Sequence, residues 1–268
     1  MTLNLMSFLN KFSAFLIRDL KISLTYKFNL FIQLISLIFL LTIAFFSLQD
    51  NITSKSNLSY IHFFLNLASV DFMLSSLSVF SREIRTAQLL GTFEAMLLTK
   101  TSFLTVIFSS YARTLLRCIV RSIIYFMICK LFFYAEISFF NTIILILFFI
   151  YNSIPFIAIG LISASFIVAF KVGDISTFFI SLIAVFFSGI FFPINSLPNF
   201  LHVYSDINPL RVGLDTSKIL IEDNFVFLDL LPYLSITFIQ IILFLPLGIF
   251  LLNYGFKLAR KNGNLSFY

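Results

Sequence analysis

Apolar residues fill most of the chain in long blocks, and the polar residues gather between them. A helix needs about 20 apolar residues to cross a bilayer core. Six blocks have that character: 28–48, 58–80, 103–134, 139–170, 175–192 and 231–254. The third and fourth are the longest, with 32 residues each. As helices they would extend about 48 Å against a hydrocarbon core of about 30 Å, so they must tilt, kink or protrude. Pro155 predicts a kink or break in the fourth, because proline has no N–H for the helical ladder. Ahead of the first block, Leu5, Leu9, Phe12, Leu16 and Leu20 recur at spacings of three and four, with Ser7, Lys11, Arg18 and Lys21 on the other side. This predicts an amphipathic helix in the 5–27 leader, its apolar face in the membrane interface and its basic face outward. A signal peptide is the competing reading, but the polar leader is too long for one and no A-x-A site follows. The pattern therefore predicts an all-α, polytopic membrane protein with residues 1–268 as a single domain.

Composition strengthens this reading. Hydrophobic residues make up 60% of the chain and charged residues 11%, whereas soluble domains average about 25% charged. Too few charges exist to cover a water-facing surface, which excludes a soluble enzyme of ordinary build. The net charge of +6 is read as cytoplasmic Lys and Arg rather than as a nucleic-acid surface. One set of flanks carries Lys11, Arg18, Lys21, Lys27, Arg82, Arg85, Lys100, Lys171, Lys257, Arg260 and Lys261. The opposite flanks carry Lys55, Lys130, Arg211 and Lys218, together with Asp206, Asp215, Glu222, Asp223 and Asp229. The expected topology is six spans with both termini cytoplasmic, in the cell (inner) membrane. Cys118 and Cys129 fall in one predicted helix, about 16 Å apart, too far for a disulfide. No metal-ligand spacing and no internal repeat is present.

Two connections are too long for simple turns: 81–101 on the inside and 193–230 on the outside. The inner one is polar at its start and amphipathic after Gly91. Thr92 could cap a short helix holding Phe93, Met96 and Leu97, with Glu94 favoured in its first turn. Such a helix would offer an apolar face to another protein; a solvated turn on the interface is the other reading. Arg82-Glu83, Gln88, Gly91-Thr92-Phe93-Glu94 and Leu97-Leu98-Thr99 together resemble the cytoplasmic segment of type-2 ABC exporter permeases. Lys100 stands where that family usually has proline. The resemblance implies a coupling helix that docks on an ATPase subunit through Glu83, Arg85, Gly91, Thr92, Phe93, Glu94, Leu97 and Leu98.

The outer connection is similar to the same family. Ser188-Gly189-Ile190-Phe191-Phe192-Pro193, Leu197-Pro198, Asn208-Pro209 and Leu214-Asp215 follow its S-G-x-x-x-P, L-P, N-P and L-D order. Leu210-Arg211 and Lys218 depart from the residues usual after N-P. The prolines cut this apolar stretch into pieces too short to cross, so short helices re-entering the outer leaflet are expected before the last span. Irregular backbone survives at that depth only under cover of protein or beside a water-filled cavity.

No G-x-x-x-x-G-K-[ST] occurs, so this chain lacks that phosphate cradle for ATP. The resemblance implies that ATP and Mg are bound by a separate ATP-binding cassette subunit. It also implies a second permease chain, identical or related, and a substrate that is a lipid-linked glycan, a lipid or a hydrophobic drug. A secondary transporter would predict inverted repeats, and an intramembrane enzyme would need a catalytic constellation. Neither signature stands in the sequence. Within the spans, Arg113, Arg117 and Arg121 recur every four residues and share one stripe. Asp71, in the antiparallel neighbour, lies at a depth where it could meet Arg121. Two readings stay open: an ion pair with snorkelling arginines, or a basic stripe that attracts an anionic headgroup on the substrate path. His62 and Asn66 share a face near the outer end of the second span.

Overall fold

Apolar segments with few helix breakers have one local way to satisfy their backbone polar groups away from water, the α-helix. The computed structural model describes residues 13, 14, 17, 21, 58–92, 103–133, 139–170, 175–190, 194, 198–220 and 227–261. They form helices and turns, with no strand among the described residues. The helices are α1 (Leu58–Leu89), α2 (Phe103–Phe133), α3 (Phe139–Asn152), α4 (Ile154–Phe170), α5 (Ile175–Phe186), α6 (Asn199–Ile207), α7 (Pro209–Ile219) and α8 (Phe227–Lys261). In the leader, Ser13, Ala14, Ile17 and Lys21 are helical and exposed. The remainder of the predicted 5–27 helix lies outside the described residues.

Three points of the structure bear on the sequence expectations. First, α1 runs on past Phe80 to Leu89, so the 81–101 connection begins as helix. Ser81–Leu89 contains no proline or glycine, and Ile84 and Ala87 continue the buried face. The helix stops at Gly91, whose φ of 66° is left-handed. Gly91 N–H bonds Gln88 O at 3.1 Å and Thr92 N–H bonds Ala87 O at 3.0 Å, the pairing of a Schellman cap. The Thr92 hydroxyl also donates to Ala87 O, at 3.3 Å. Gly91 and Thr92 therefore close α1; the predicted helix beyond Thr92 lies outside the described residues.

Second, three of the six expected spans are matched by stretches among the described residues that are long and apolar enough to cross a membrane: Phe64–Leu89, Asn141–Phe170 and Leu228–Ala259. The block 28–48 lies outside the described residues. α2 is long enough, at 31 residues, but carries its three arginines. Third, α5 ends at Phe186 instead of Phe192. Its 12 residues reach about 18 Å, short of a core of about 30 Å. Ser188 Oγ donates to Val185 O at 2.6 Å and Gly189 takes a φ of 82°, which together turn the chain out of the helix. The fourth block divides as Pro155 predicts: α3 and α4 are separate helices meeting at Ser153.

α4 lies between α1 and α8 at backbone contact. A Cβ at Gly160 would come within 2.5 Å of Leu77 O, one at Gly248 within 2.6 Å of Ala158 O, and one at Gly255 within 2.9 Å of Ser165 O. Small residues permit this approach, which lets dispersion act where lipid removes the hydrophobic drive between helices. The contacts also fix direction. Leu77 meets Gly160 and Ser81 Oγ meets Ser163 Oγ at 3.2 Å, so α1 and α4 are parallel. Ala158 meets Gly248 and Ser165 meets Gly255, so α8 is parallel to them. α2 runs against α1, because Glu83 pairs with Arg113 and Asp71 with Arg121. α5 runs against α4: Ser163 bonds Thr177 at 2.6 Å, while Ala184 and Val185 join Phe156 in a common cluster.

Gly160→Ala and Gly248→Ala are each expected to cost about 1–3 kcal/mol by overpacking. No atom of the described residues comes within 4 Å of where a Cβ would stand at Gly91, so Gly91→Ala is expected to cost only about 1 kcal/mol, from its left-handed backbone. Thermal unfolding of the purified variants in one detergent checks the ranking. An unchanged midpoint at Gly160 and Gly248 would show that the helices are not held this closely.

Candidate functional site

Two polar constructions interrupt the apolar bundle. The first is the seam between α1 and α2. On α1, Asp71, Ser75, Ser78 and Arg82 are spaced four, three and four, which places them on one stripe. On α2, Arg113, Arg117 and Arg121 form the facing stripe. Arg121 Nε lies 3.0 Å from Asp71 Oδ2 and its Nη2 donates to Ser75 Oγ at 3.3 Å. Ser75 Oγ in turn donates to Asp71 Oδ1 at 3.4 Å. Arg113 pairs with Glu83 at 3.0 Å. Arg117 donates to Thr114 Oγ1 at 3.5 Å, and Arg82 bonds Ser78 Oγ. Asp71 and the three arginines are thus brought together. Glu83, assigned from the sequence to the partner-facing segment, also belongs to this seam. Arg85 is half-buried near the end of α1. Phe93, Glu94, Leu97 and Leu98 lie outside the described residues, as does the side chain of His62. Asn66 Oδ1 is buried with no hydrogen-bond partner among the described residues.

The second construction holds α6 and α7 against the bundle. Helix ends leave carbonyls without intrahelical partners, and side chains from three directions satisfy them here. Asn208 Nδ2 donates to Ala184 O at 2.6 Å, and Ser205 Oγ donates to Phe187 O at 2.8 Å, both at the end of α5. Gln240 Nε2 donates to Ile207 O, at the end of α6, at 2.9 Å. Asn208 Oδ1 caps α7 by accepting from Leu210 N–H at 3.1 Å, with Pro209 in its first turn. Asn152 Nδ2 donates to Pro209 O at 3.2 Å, and Thr237 Oγ1 donates to Asn152 Oδ1 at 3.2 Å. Gly213 lets α7 lie this close, since a Cβ there would collide with the Met73 methyl and the Asn152 amide. On the outer side of α7, Arg211 pairs with Asp206 and, at 3.3 Å, with Asp215, which also takes Lys218 at 3.0 Å.

The motif drew attention to Asn208-Pro209 and Asp215 but passed over Asn152, Thr237 and Gln240. Their signal was present all the same: each is a polar residue inside an otherwise apolar block. Leu89 and Leu90, at 61% and 70% exposure, were also missed. They form an apolar step directly before Gly91.

A family model described as ABC-2 type transporter matches residues 11–221. The chain belongs to this family. No curated protein and no solved structure matches the chain. The ABC-2 match takes in most of the leader, the seam, the 81–101 connection and the α6–α7 pair. The chain is thus a type-2 ABC permease domain, the membrane subunit of a transporter, and an integral membrane protein. No cluster of His, Cys, Asp or Glu that could hold a metal ion occurs among the described residues. Cys118 is buried and free.

The Asp71–Arg121 pair can be tested on stability. The Arg121 side chain is 35% exposed and that of Asp71 17%. Removing one partner is therefore expected to cost about 1–3 kcal/mol, below the 3–5 kcal/mol of a fully buried pair. Asp71→Ala should lower the yield of folded protein, and Arg121→Ala added to it should restore part of the loss. A double-mutant cycle in which the two losses simply add would show that the charges do not act on each other.

Proposed function

We propose that this ABC-2 chain is the membrane-spanning permease subunit of an ATP-driven exporter. Two such chains, identical or related, enclose a path for an amphipathic or large substrate: a lipid-linked glycan, a lipid or a hydrophobic drug. The observation that carries this reading is the family match over residues 11–221 in a chain without the GxxxxGK[ST] phosphate cradle for ATP. ATP and Mg then bind to a partner ATPase, which supplies the energy of hydrolysis.

Six spans with cytoplasmic termini are part of the proposal. The helix directions support it: α1, α4 and α8 are parallel while α2 and α5 run the other way. A chain that crosses alternately produces this arrangement; α2 then crosses despite its arginines because α1 neutralises two of them, and the short α5 crosses where the bilayer thins around it. α6 and α7 occupy the outer leaflet before α8, and the 5–27 leader lies in the inner interface. The region around Gly91 is the docking surface for the ATPase. Exposed Leu89 and Leu90 begin it, and Thr92, Phe93, Glu94, Leu97 and Leu98 continue it. Glu83 and Arg85 stand just behind on α1. Through its pair with Arg113, Glu83 ties the docking surface to α2, so displacement of the surface by the ATPase moves both helices of the seam.

Two experiments bear on this. Single cysteines at Asn51 and Asn224 should react with an impermeant thiol reagent from outside intact cells, and one at Gly263 only after permeabilisation. Labelling of Gly263→Cys in intact cells would overturn the topology. Separately, Glu94→Lys should leave insertion intact and abolish copurification with the ATPase or substrate-stimulated hydrolysis. A merely exposed site would change stability by no more than about 0.5 kcal/mol and leave both readouts at wild-type values.

A further inference from the structure

The seam is not electrically balanced. Four guanidinium groups, Arg82, Arg113, Arg117 and Arg121, face two carboxylates, Asp71 and Glu83. Both carboxylates are engaged, one by Arg121 and one by Arg113. Arg82 and Arg117 have hydroxyl partners only, Ser78 and Thr114, and no carboxylate within ion-pair distance among the described residues. Both residues are exposed at the surface of the helix pair. Arg117 bonds a hydroxyl one turn back along α2. Because α2 is antiparallel to α1, this directs its guanidinium toward the end of α1 that carries Arg82. The positive charges of Arg113, Arg121 and Arg82 all act on Arg117.

The surroundings define the counter-ion. Arg82 lies two residues beyond the apolar block that ends at Phe80, at the height where lipid headgroups begin. From Arg117 toward the other end of α2, Leu116, Val120, Ile123, Met127 and Leu131 recur at spacings of four, three, four and four, all exposed. That stripe is about 22 Å long, enough to cover one leaflet of a core of about 30 Å. An unpaired arginine at such a boundary costs free energy unless an anion or water reaches it. A phosphate meets the need, since guanidinium binds phosphate oxygens through paired, charge-assisted hydrogen bonds. A small free anion would leave the apolar stripe unused.

We propose that Arg82 and Arg117 form a site for the phosphate of an anionic phospholipid, whose acyl chain lies along the exposed stripe of α2. The proposal rests on the membrane location of the chain and not on transport. Binding is therefore measured on the permease without any ATPase, and its failure would leave the proposed function standing. The ligand offsets one of the two uncompensated positive charges of the seam and holds α1 and α2 at the bilayer boundary, beside the segment that ends at Gly91.

The test uses the purified full chain in detergent, titrated with phosphatidylglycerol and, separately, phosphatidylcholine. Wild type should bind phosphatidylglycerol several-fold more tightly. Arg117→Gln and Arg82→Gln should each reduce that preference, and the double variant should abolish it. Arg117→Lys, which keeps the charge but not the paired hydrogen bonds, should retain more of it than Arg117→Gln, and that difference separates a binding role from a folding defect. Equal affinity of wild type for the two lipids would overturn the proposal, as would an unchanged preference in the double variant. Displacement of phosphatidylglycerol by millimolar inorganic phosphate would also overturn it, by showing a site for a free anion with no use for the acyl chain.

Discussion

The contact on which the rest of the structure depends is the backbone approach of α4 to α1 and α8. Gly160 brings α4 against Leu77, and Gly248 and Gly255 bring α8 against Ala158 and Ser165. In an apolar solvent no hydrophobic force drives helices together, so close packing must supply the attraction. Missing Cβ atoms are what make that packing possible. With three parallel helices set in this way, α2 and α5 have fixed faces to pack against, in the opposite direction.

The same framework decides where polar groups can be placed. Asn152 stands at the end of α3, beside the break before α4, where it reaches both Pro209 O and Thr237. That position allows α7, a helix far too short to cross, to be held inside the bundle with its ends satisfied. Such backbone is tolerated at membrane depth when protein covers it. α1 has the complementary role. It is a single 32-residue rod that carries Asp71 at one height, Glu83 nearer its end and the Gly91 cap beyond. In the proposed reading, a displacement applied at the cap would pass along this one helix to both ion pairs. This gives the permease reading a mechanical path that does not depend on a flexible linker.

The apolar blocks, the break at Pro155, the interruption of the outer connection at Pro209 and the nearness of Asp71 to Arg121 were legible from residue type and spacing. These features depend on interactions within a few turns, or on two helices that are consecutive, antiparallel neighbours in the chain. Family membership was legible for a related reason: Gly91 and Thr92 close α1 and Asn208-Pro209 opens α7, and few residue types satisfy the backbone at helix ends. The end of α1 was misjudged because polarity marks the limit of the lipid and not the limit of a helix. Ser81–Leu89 leaves the apolar block without leaving the helical conformation.

By itself, then, the sequence determined that this chain is a helical membrane protein, and it marked where its helices break. Those outcomes follow from solvation and local backbone chemistry, which each residue carries with it. The tertiary structure decided which carboxylate meets which arginine and that Glu83 faces Arg113. It also decided that Asn152, Thr237 and Gln240 serve helix ends distant in the chain. These pairings join residues 30 to 85 positions apart. They depend on the rotation and height of each helix, which the glycine contacts set and no local pattern encodes.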